Sequence, residues 1–471
     1  MIRGLKHFFL TLFLLTSTVN LFAQSESSSV FTLDQFLEIV VKHHPTAMQS
    51  KIAADRGQAY ITKARGAFDP KLYGSAYQKY FDGGQYYSLI GGGLKIPTWF
   101  GIEVDAGYDV AKGDRLNPQD YTPKDGLWRA GIKVPLGKNL FIDARRAELK
   151  QAKIYRESSL AQQQIILNQL LYDASAAYWD WLKSFHKMKV YETAVENAKI
   201  RFIGVKRSAM VGDKPLIDTL ESNINLQNRI FNFKQYELLY KNATAKLEVF
   251  LWKDGFIPLE ITPGINPPLI ADLLRAEVDL PIMAMVDTID IYHPILRKYQ
   301  YEVDMAEVDL RLSREQLKPT VNLKYNALNS GGNENPWQAY NVNNYQWGAE
   351  VNFPIFIRKE RGELRLSKLE VQDLQADLAN KQAEQTFKIY SYLNSWNTSI
   401  EQIEISQRMV DQYQALFRGE QTLFDIGESS VFLLNSREKS LIEAELKYIE
   451  ASVANQKAKL TTEYALGILP F

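Results

Sequence analysis

Side chains that ligate metals or move protons are sparse in this chain. Its five histidines are His7, His43, His44, His186 and His293, and none stands at a metal-ligating spacing from a second histidine, a cysteine or an acid. His44-Pro45 and His293-Pro294 read instead as helix starts, because proline at the first helical position gives up a donor that has no partner there anyway. Gly91-Gly92-Gly93 lacks the Lys-Ser or Lys-Thr pair that completes a phosphate loop, and its strand-like flanks point to close strand packing. Cysteine is absent, which excludes disulfides, thiolate chemistry and an acceptor for a lipid anchor. No Ser-His-acid set emerges, so the expectation is no enzyme, no metal and no cofactor. What remains is charge placed at intervals. Glu103, Asp105 and Asp109 alternate with apolar residues, and a second group surrounds two glycine turns: Gly212, Asp213, Lys214, Asp218 and Glu221 at the first, Asp425, Gly427, Glu428 and Arg437 at the second. Such charges can steer ions or hold a turn closed. They make and break no covalent bonds.

Charges of that kind act only where a scaffold sets them around an opening. Arg3 and Lys6 precede an apolar run from Phe8 to Leu15, and the stretch closes at Leu21-Phe22-Ala23, so residues 1–23 read as a secretory signal peptide. That run is shorter than the roughly 20 apolar residues that span a bilayer as helix, and no later stretch approaches that length. Any crossing must therefore use strands. The 55 Lys and Arg balance the 55 Asp and Glu, which gives no basic surface for nucleic acid. An aromatic content of 12% with 25 Tyr and 8 Trp suits membrane-interface girdles.

The chain carries one pattern twice. His44-Pro45 recurs as His293-Pro294 and Pro70 as Pro319, both 249 residues on; Trp128 and Pro135 recur as Trp347 and Pro354 after 219; Trp181 and Gly212 recur as Trp396 and Gly427 after 215. A first repeat over residues 24–280 and a second over 281–471 follow, the first with about 30 extra residues between its proline markers. Each half reads helix, strands, long helix, turn, helix. Leu167, Leu171, Ala174, Tyr178, Trp181, Phe185 and Met188 step by four and three, a heptad seam that slips before Val195, Ala198, Phe202 and Val205. At a rise of 1.5 Å per residue, Asp143–Ser208 and Glu360–Phe424 each span about 100 Å. Pro45–Gly66 with Leu216–Leu251, and Pro294–Lys318 with Ser430–Leu466, add up to nearly the same lengths. Two short helices stacked end to end beside one long helix is the arrangement this predicts.

Between the helices the period is two. Ile102, Val104, Ala106, Tyr108 and Val110 take one face, suited to lipid, and Glu103, Asp105, Gly107 and Asp109 the other, suited to a water-filled lumen. Strands are expected near Lys71–Phe81, Leu127–Leu136, Val321–Leu328 and Tyr345–Phe353, four per chain and too few to close a barrel alone. The inserted stretch Tyr86–Val110 adds a hairpin to that barrel or folds over its mouth; both remain open at this point. The fold class is thus mainly α, with long coiled-coil-like helices and a membrane β-barrel portion.

These features resemble the TolC-type outer-membrane efflux proteins over nearly all of the mature chain. The resemblance rests on Phe31-Thr32-Leu33-Asp34 ahead of His44-Pro45, on Val134-Pro135-Leu136 and Phe353-Pro354-Ile355 at strand ends, on the two glycine turns and on Ala465-Leu466-Gly467. It implies a homotrimer in outer-membrane lipid, with twelve strands in one β-barrel continued by a twelve-helix α-barrel that the long helices form and that ends in a periplasmic iris. An equatorial band of residues 253–279 and the chain termini is implied around the helix joints, with a periplasmic adaptor and an inner-membrane pump as partners. It implies that Asp218, six positions after Gly212, helps to hold the iris shut, while Leu433 and Ser436 stand where gate-ring aspartates would be expected, leaving Asp425, Glu428 and Glu221 as the nearby acids. The competing reading of another class, a periplasmic coiled-coil adaptor or structural protein, accounts for the helices and not for the aromatic strands.

Overall fold

Residues 29–273, 275–278, 285, 288–330, 332 and 341–469 are described by the computed structural model; the expected signal peptide lies outside them. Strand β1 (Ser29–Val30) leads into helix α1 (Leu33–His43), opened by a capping box in which Thr32 and Gln35 each accept from the other's amide. Helix α2 (Pro45–Arg65) starts on its proline with His44 as cap, the imidazole Nδ1 accepting from the Thr46 amide at 3.1 Å. Four strands follow: β2 (Lys71–Phe81), β3 (Gly84–Pro97), β4 (Glu103–Lys112) and β5 (Leu127–Pro135). Helix α3 (Ala144–Met210) is capped by Asp143 and runs 67 residues, about 100 Å; α4 (Leu216–Glu248) returns. Short strands β6 (Trp252–Lys253), β7 (Ile257–Pro258) and β8 (Ile265–Asn266) and one helical turn, α5 (Ile289–Tyr292), connect to the second half. There α6 (Pro294–Gln316), β9 (Thr320–Ser330), β10 (Tyr345–Asn352), α7 (Arg358–Asp425) and α8 (Val431–Leu466) repeat the order of elements.

Helices α2 and α4 both lie along α3, and α6 and α8 both lie along α7, as the helix lengths require. The core gathers where the short helices meet. Phe36 and Val40 of α1 pack with Leu171, Tyr178, Trp181 and Leu182 of α3, Leu247 of α4 and Val453 of α8. A second cluster holds Trp396 and Ile389 of α7 with Leu296 of α6 and Leu466 of α8. The two tryptophans that mark the repeated pattern are thus both fully buried at the joint. Parallel pairing of β1 with β8 draws the N-terminal segment to the connector, and Ile270 and Leu469 pack into the same core. Among the described residues no helix is long and apolar enough to cross a membrane.

Three histidines sit in this joint. His44 caps α2, His186 Nε2 lies 2.8 Å from the Pro268 carbonyl, and His293 Nε2 donates to the Ala465 carbonyl at 2.9 Å. Burial holds all three below the usual imidazole range. The folded chain therefore binds their protons less readily than the unfolded chain, so their contribution is complete above the unfolded value of about 6.5 and is lost as pH falls below it. Thermal unfolding followed by circular dichroism should show a midpoint that drops between pH 6.5 and 5.5, and drops less in the His44→Gln, His186→Gln, His293→Gln triple variant. Identical profiles in the two proteins would remove the histidines from the account.

Six of the strands form one antiparallel sheet ordered β10-β9-β5-β4-β3-β2. Six strands stand where four were expected. The inserted stretch is a hairpin inside this sheet, with β3 pairing β2 and β4 pairing β5; it does not fold over the mouth. Paired residues share a face, so the register sorts the side chains. Leu72, Ile90, Leu94, Val104, Tyr108, Trp128, Ile132, Tyr325 and Trp347 take one side; Tyr73, Lys95, Asp105, Arg129, Asn326 and Glu350 take the other. The apolar and polar faces deduced from β4 alone extend across all six strands. Among the described residues the outer edges β2 and β10 have no strand partner.

Candidate functional site: the helix turns and the polar face of the sheet

The turn after α3 is closed by bonds from Gly212 N–H to Ala209 O at 3.2 Å and from Asp213 N–H to Ser208 O at 2.9 Å. The turn after α7 repeats them, from Gly427 N–H to Phe424 O at 3.1 Å and from Glu428 N–H to Leu423 O at 2.8 Å. Both glycines adopt φ of +81° with open space around the missing Cβ, so only this left-handed conformation demands glycine there. The first turn of each returning helix exposes apolar residues, Leu216 and Ile217 on α4 and Phe432 on α8, next to Val211 and Ile426 of the turns. The Lys214 ammonium stands 4.0 Å from the Phe424 ring centroid and so joins the two turns of one chain.

About 10–20 Å of helix away from the turns lies a cluster that sequence reasoning missed. Glu438 of α8 receives a forked pair of bonds from Arg201 of α3 at 2.9 and 3.0 Å, and Arg229 of α4 stands 3.5 Å away. Asn435 Oδ1 accepts from both Arg201 and Asn225. The three charged side chains are 8%, 4% and 7% exposed for Arg201, Glu438 and Arg229. They fasten α3 and α4 to α8, the helix that pairs with α7. The signal was present in the sequence: Glu438 stands four after Leu434 and three before Leu441, and Arg229 stands three after Leu226, both at inward positions of a helical seam.

On the sheet each acid of β4 has a basic partner. Asp109 accepts from Arg129 Nε at 2.6 Å, Asp105 from Arg129 and, at 2.9 Å, from the Tyr73 hydroxyl; Glu103 pairs with Arg145 at 3.2 Å and Lys95 at 3.4 Å. Lys71, Lys133 and Lys324 share this face. The three acids lie on the polar side of the sheet, each paired with a base, and form no bare acidic surface.

Residues 289–467 match the family described as outer membrane efflux protein. The second half of the chain is thus similar to that family. The solvent efflux pump outer membrane protein SrpC of Pseudomonas putida is 20% identical over 363 residues, 75% of this chain and 74% of that one. The Campylobacter jejuni CmeC outer membrane channel superposes with a TM-score of 0.63 at 13% identity, covering 92% of this chain and 85% of that one. The open state of the Neisseria gonorrhoeae MtrE outer membrane channel gives 0.64 at 11%, covering 92% and 88%.

Asp218 lies in the first turn of α4, its amide bonded to Pro215 O at 3.1 Å, a position where the helix dipole favours an acid. Within one chain it meets neither Lys214, which covers Phe424, nor Arg437, which lies 3.5 Å from Glu420. Asp425 accepts from Gln421 at 2.8 Å. Asp213 and Asp425 line a groove of about 540 Å³ between α3 and α7 with Arg201, Lys214 and Phe424, whereas Glu221 and Glu428 stand outside it.

Proposed function

We propose that three copies of this chain close into one passive duct, strands in the outer membrane and helices in the periplasm, through which an adaptor-coupled inner-membrane pump exports its cargo. The observation that carries the reading is the two-faced sheet with two unpaired edges mounted on helices about 100 Å long. Unpaired edges cost several kcal/mol per group in lipid, so the sheet must be completed by further copies. A periplasmic adaptor has no use for an apolar face running over six strands. Mass measurement of the detergent-extracted protein should give a trimer; a well-behaved monomer would end this reading.

The apolar turns are the surface offered to an adaptor, and six of them per trimer would meet in one ring. Asp218, which meets no base among the described residues, is then free to pair with a base of the neighbouring copy, Lys214 or Arg437. Exposed pairs of this kind contribute about 0–1 kcal/mol each, and threefold symmetry repeats them. Asp218→Ala should raise single-channel conductance in planar bilayers above the parent value. Equal and wide-open conductance in both proteins would place the gate elsewhere.

A further inference from the structure

The hairpin of β3 and β4 occupies the middle of the sheet, so β2 cannot reach β5 without it. Its strands have 14 and 10 residues, enough for the roughly 9–11 that a tilted strand needs to cross a bilayer. Ile90, Leu94 and Ile96 on β3 and Val104, Ala106 and Tyr108 on β4 continue the apolar face of the flanking strands. On the polar face the hairpin is tied to both neighbours, because Arg129 of β5 and Tyr73 of β2 meet on Asp105. The connecting turn, closed by Thr98 N–H to Ile102 O at 2.9 Å, lies at the junction with the helices, where the Arg146 guanidinium of α3 packs against Gly101. Trp99 and Phe100 of that turn are 74% and 60% exposed, and Phe141 and Phe356 at the neighbouring junctions are 74% and 69% exposed. That is an aromatic girdle at one level.

We propose that the trimer closes a barrel of eighteen strands, β2 of each copy pairing with β10 of the next, in place of the twelve that the family resemblance implies. The proposal rests on the trimeric duct argued above. Twelve helices side by side at about 8–10 Å make a wall about 96–120 Å around. Eighteen strands at about 4.8 Å, tilted by about 35–45°, make one of about 105–122 Å, and twelve only about 70–80 Å. With eighteen, the membrane section is as wide as the helical section beneath it. The duct has no neck at the membrane, and bulky solutes that pass the turns meet no second constriction in the strand wall.

Electron cryomicroscopy of the full-length protein in lipid nanodiscs should show three six-stranded sheets in one wall. A trimer with a twelve-strand wall and the hairpin outside it would overturn this inference and leave the duct intact; absence of a shared barrel would overturn both. A second readout uses the cysteine-free background. A fluorophore on Leu94→Cys should be quenched by phospholipids brominated in the acyl chain, and one on Lys95→Cys should be quenched by aqueous iodide instead. The reverse pattern, or iodide quenching at both positions, would take the hairpin out of the membrane wall.

Discussion

Glu438→Gln should loosen the helix pairs near the turns more than any other single change on the polar side of the molecule. The glutamine keeps the shape and loses the charge, so Arg201 and Arg229 are left as buried guanidiniums without a counter-ion. Removing one partner of such a cluster costs about 3–5 kcal/mol, because the remaining charge has neither water nor an opposite charge around it. Hydrogen exchange should rise in α3, α4 and α8 around residues 201, 229 and 438, with little change at the joint. Replacing all three by apolar residues of similar size, Arg201→Met, Arg229→Met and Glu438→Leu, should recover most of the loss, since packing then substitutes for an interaction that roughly cancels its own desolvation. Unchanged exchange in the single variant would mean that the cluster is wet in the assembled protein.

A change at the other end of the polarity scale should act at the joint. Leu171 is 1% exposed among Phe36, Tyr178, Leu182 and Leu247. Leu171→Asp removes a buried leucine, worth about 2–5 kcal/mol by itself, and places a carboxylate where no base is at hand. Together these exceed the stability margin of most domains of ordinary size. The damage falls within one chain, before any copy meets another, so the yield of heat-resistant trimer should collapse while secretion continues. Leu171→Met keeps volume and polarity and should assemble normally. Trimer yield equal to the parent's for Leu171→Asp would contradict the burial assigned to this seam.

The helices were legible because their signals are local and repeated. Proline at Pro45 and Pro294 marks where α2 and α6 begin, Asp143 and Ser430 cap α3 and α8, and the four-three stepping from Leu167 to Phe185 follows the buried side of α3. The two faces of the sheet were legible on β4 for the same reason. The hairpin was not, because a lid and a wall strand alternate alike; what separates them is the pairing of Lys95 with Asp105 and of Gly107 with Arg129, contacts made across the sheet. The neutralising role of Arg129 was hidden likewise, since Asp105 and Asp109 lie 24 and 20 residues from it in sequence. Heptad reasoning searched for apolar residues at inward positions and so passed over Arg229 and Glu438, where charge occupies such positions and is matched only in three dimensions.

The unpaired edges β2 and β10 also fix the order in which this molecule can come into being. Helices packed on their sequence neighbours need no second copy and form on the fast timescales of local contacts. The sheet cannot finish that way. In the proposed trimer its last strand pairings are reactions between separate molecules, so the final step of folding depends on how many partly folded chains share the same patch of membrane. Dilution should therefore stall maturation at a chain with formed helices and an open, aggregation-prone sheet, and in the proposed trimer three such chains must meet before any of them is complete.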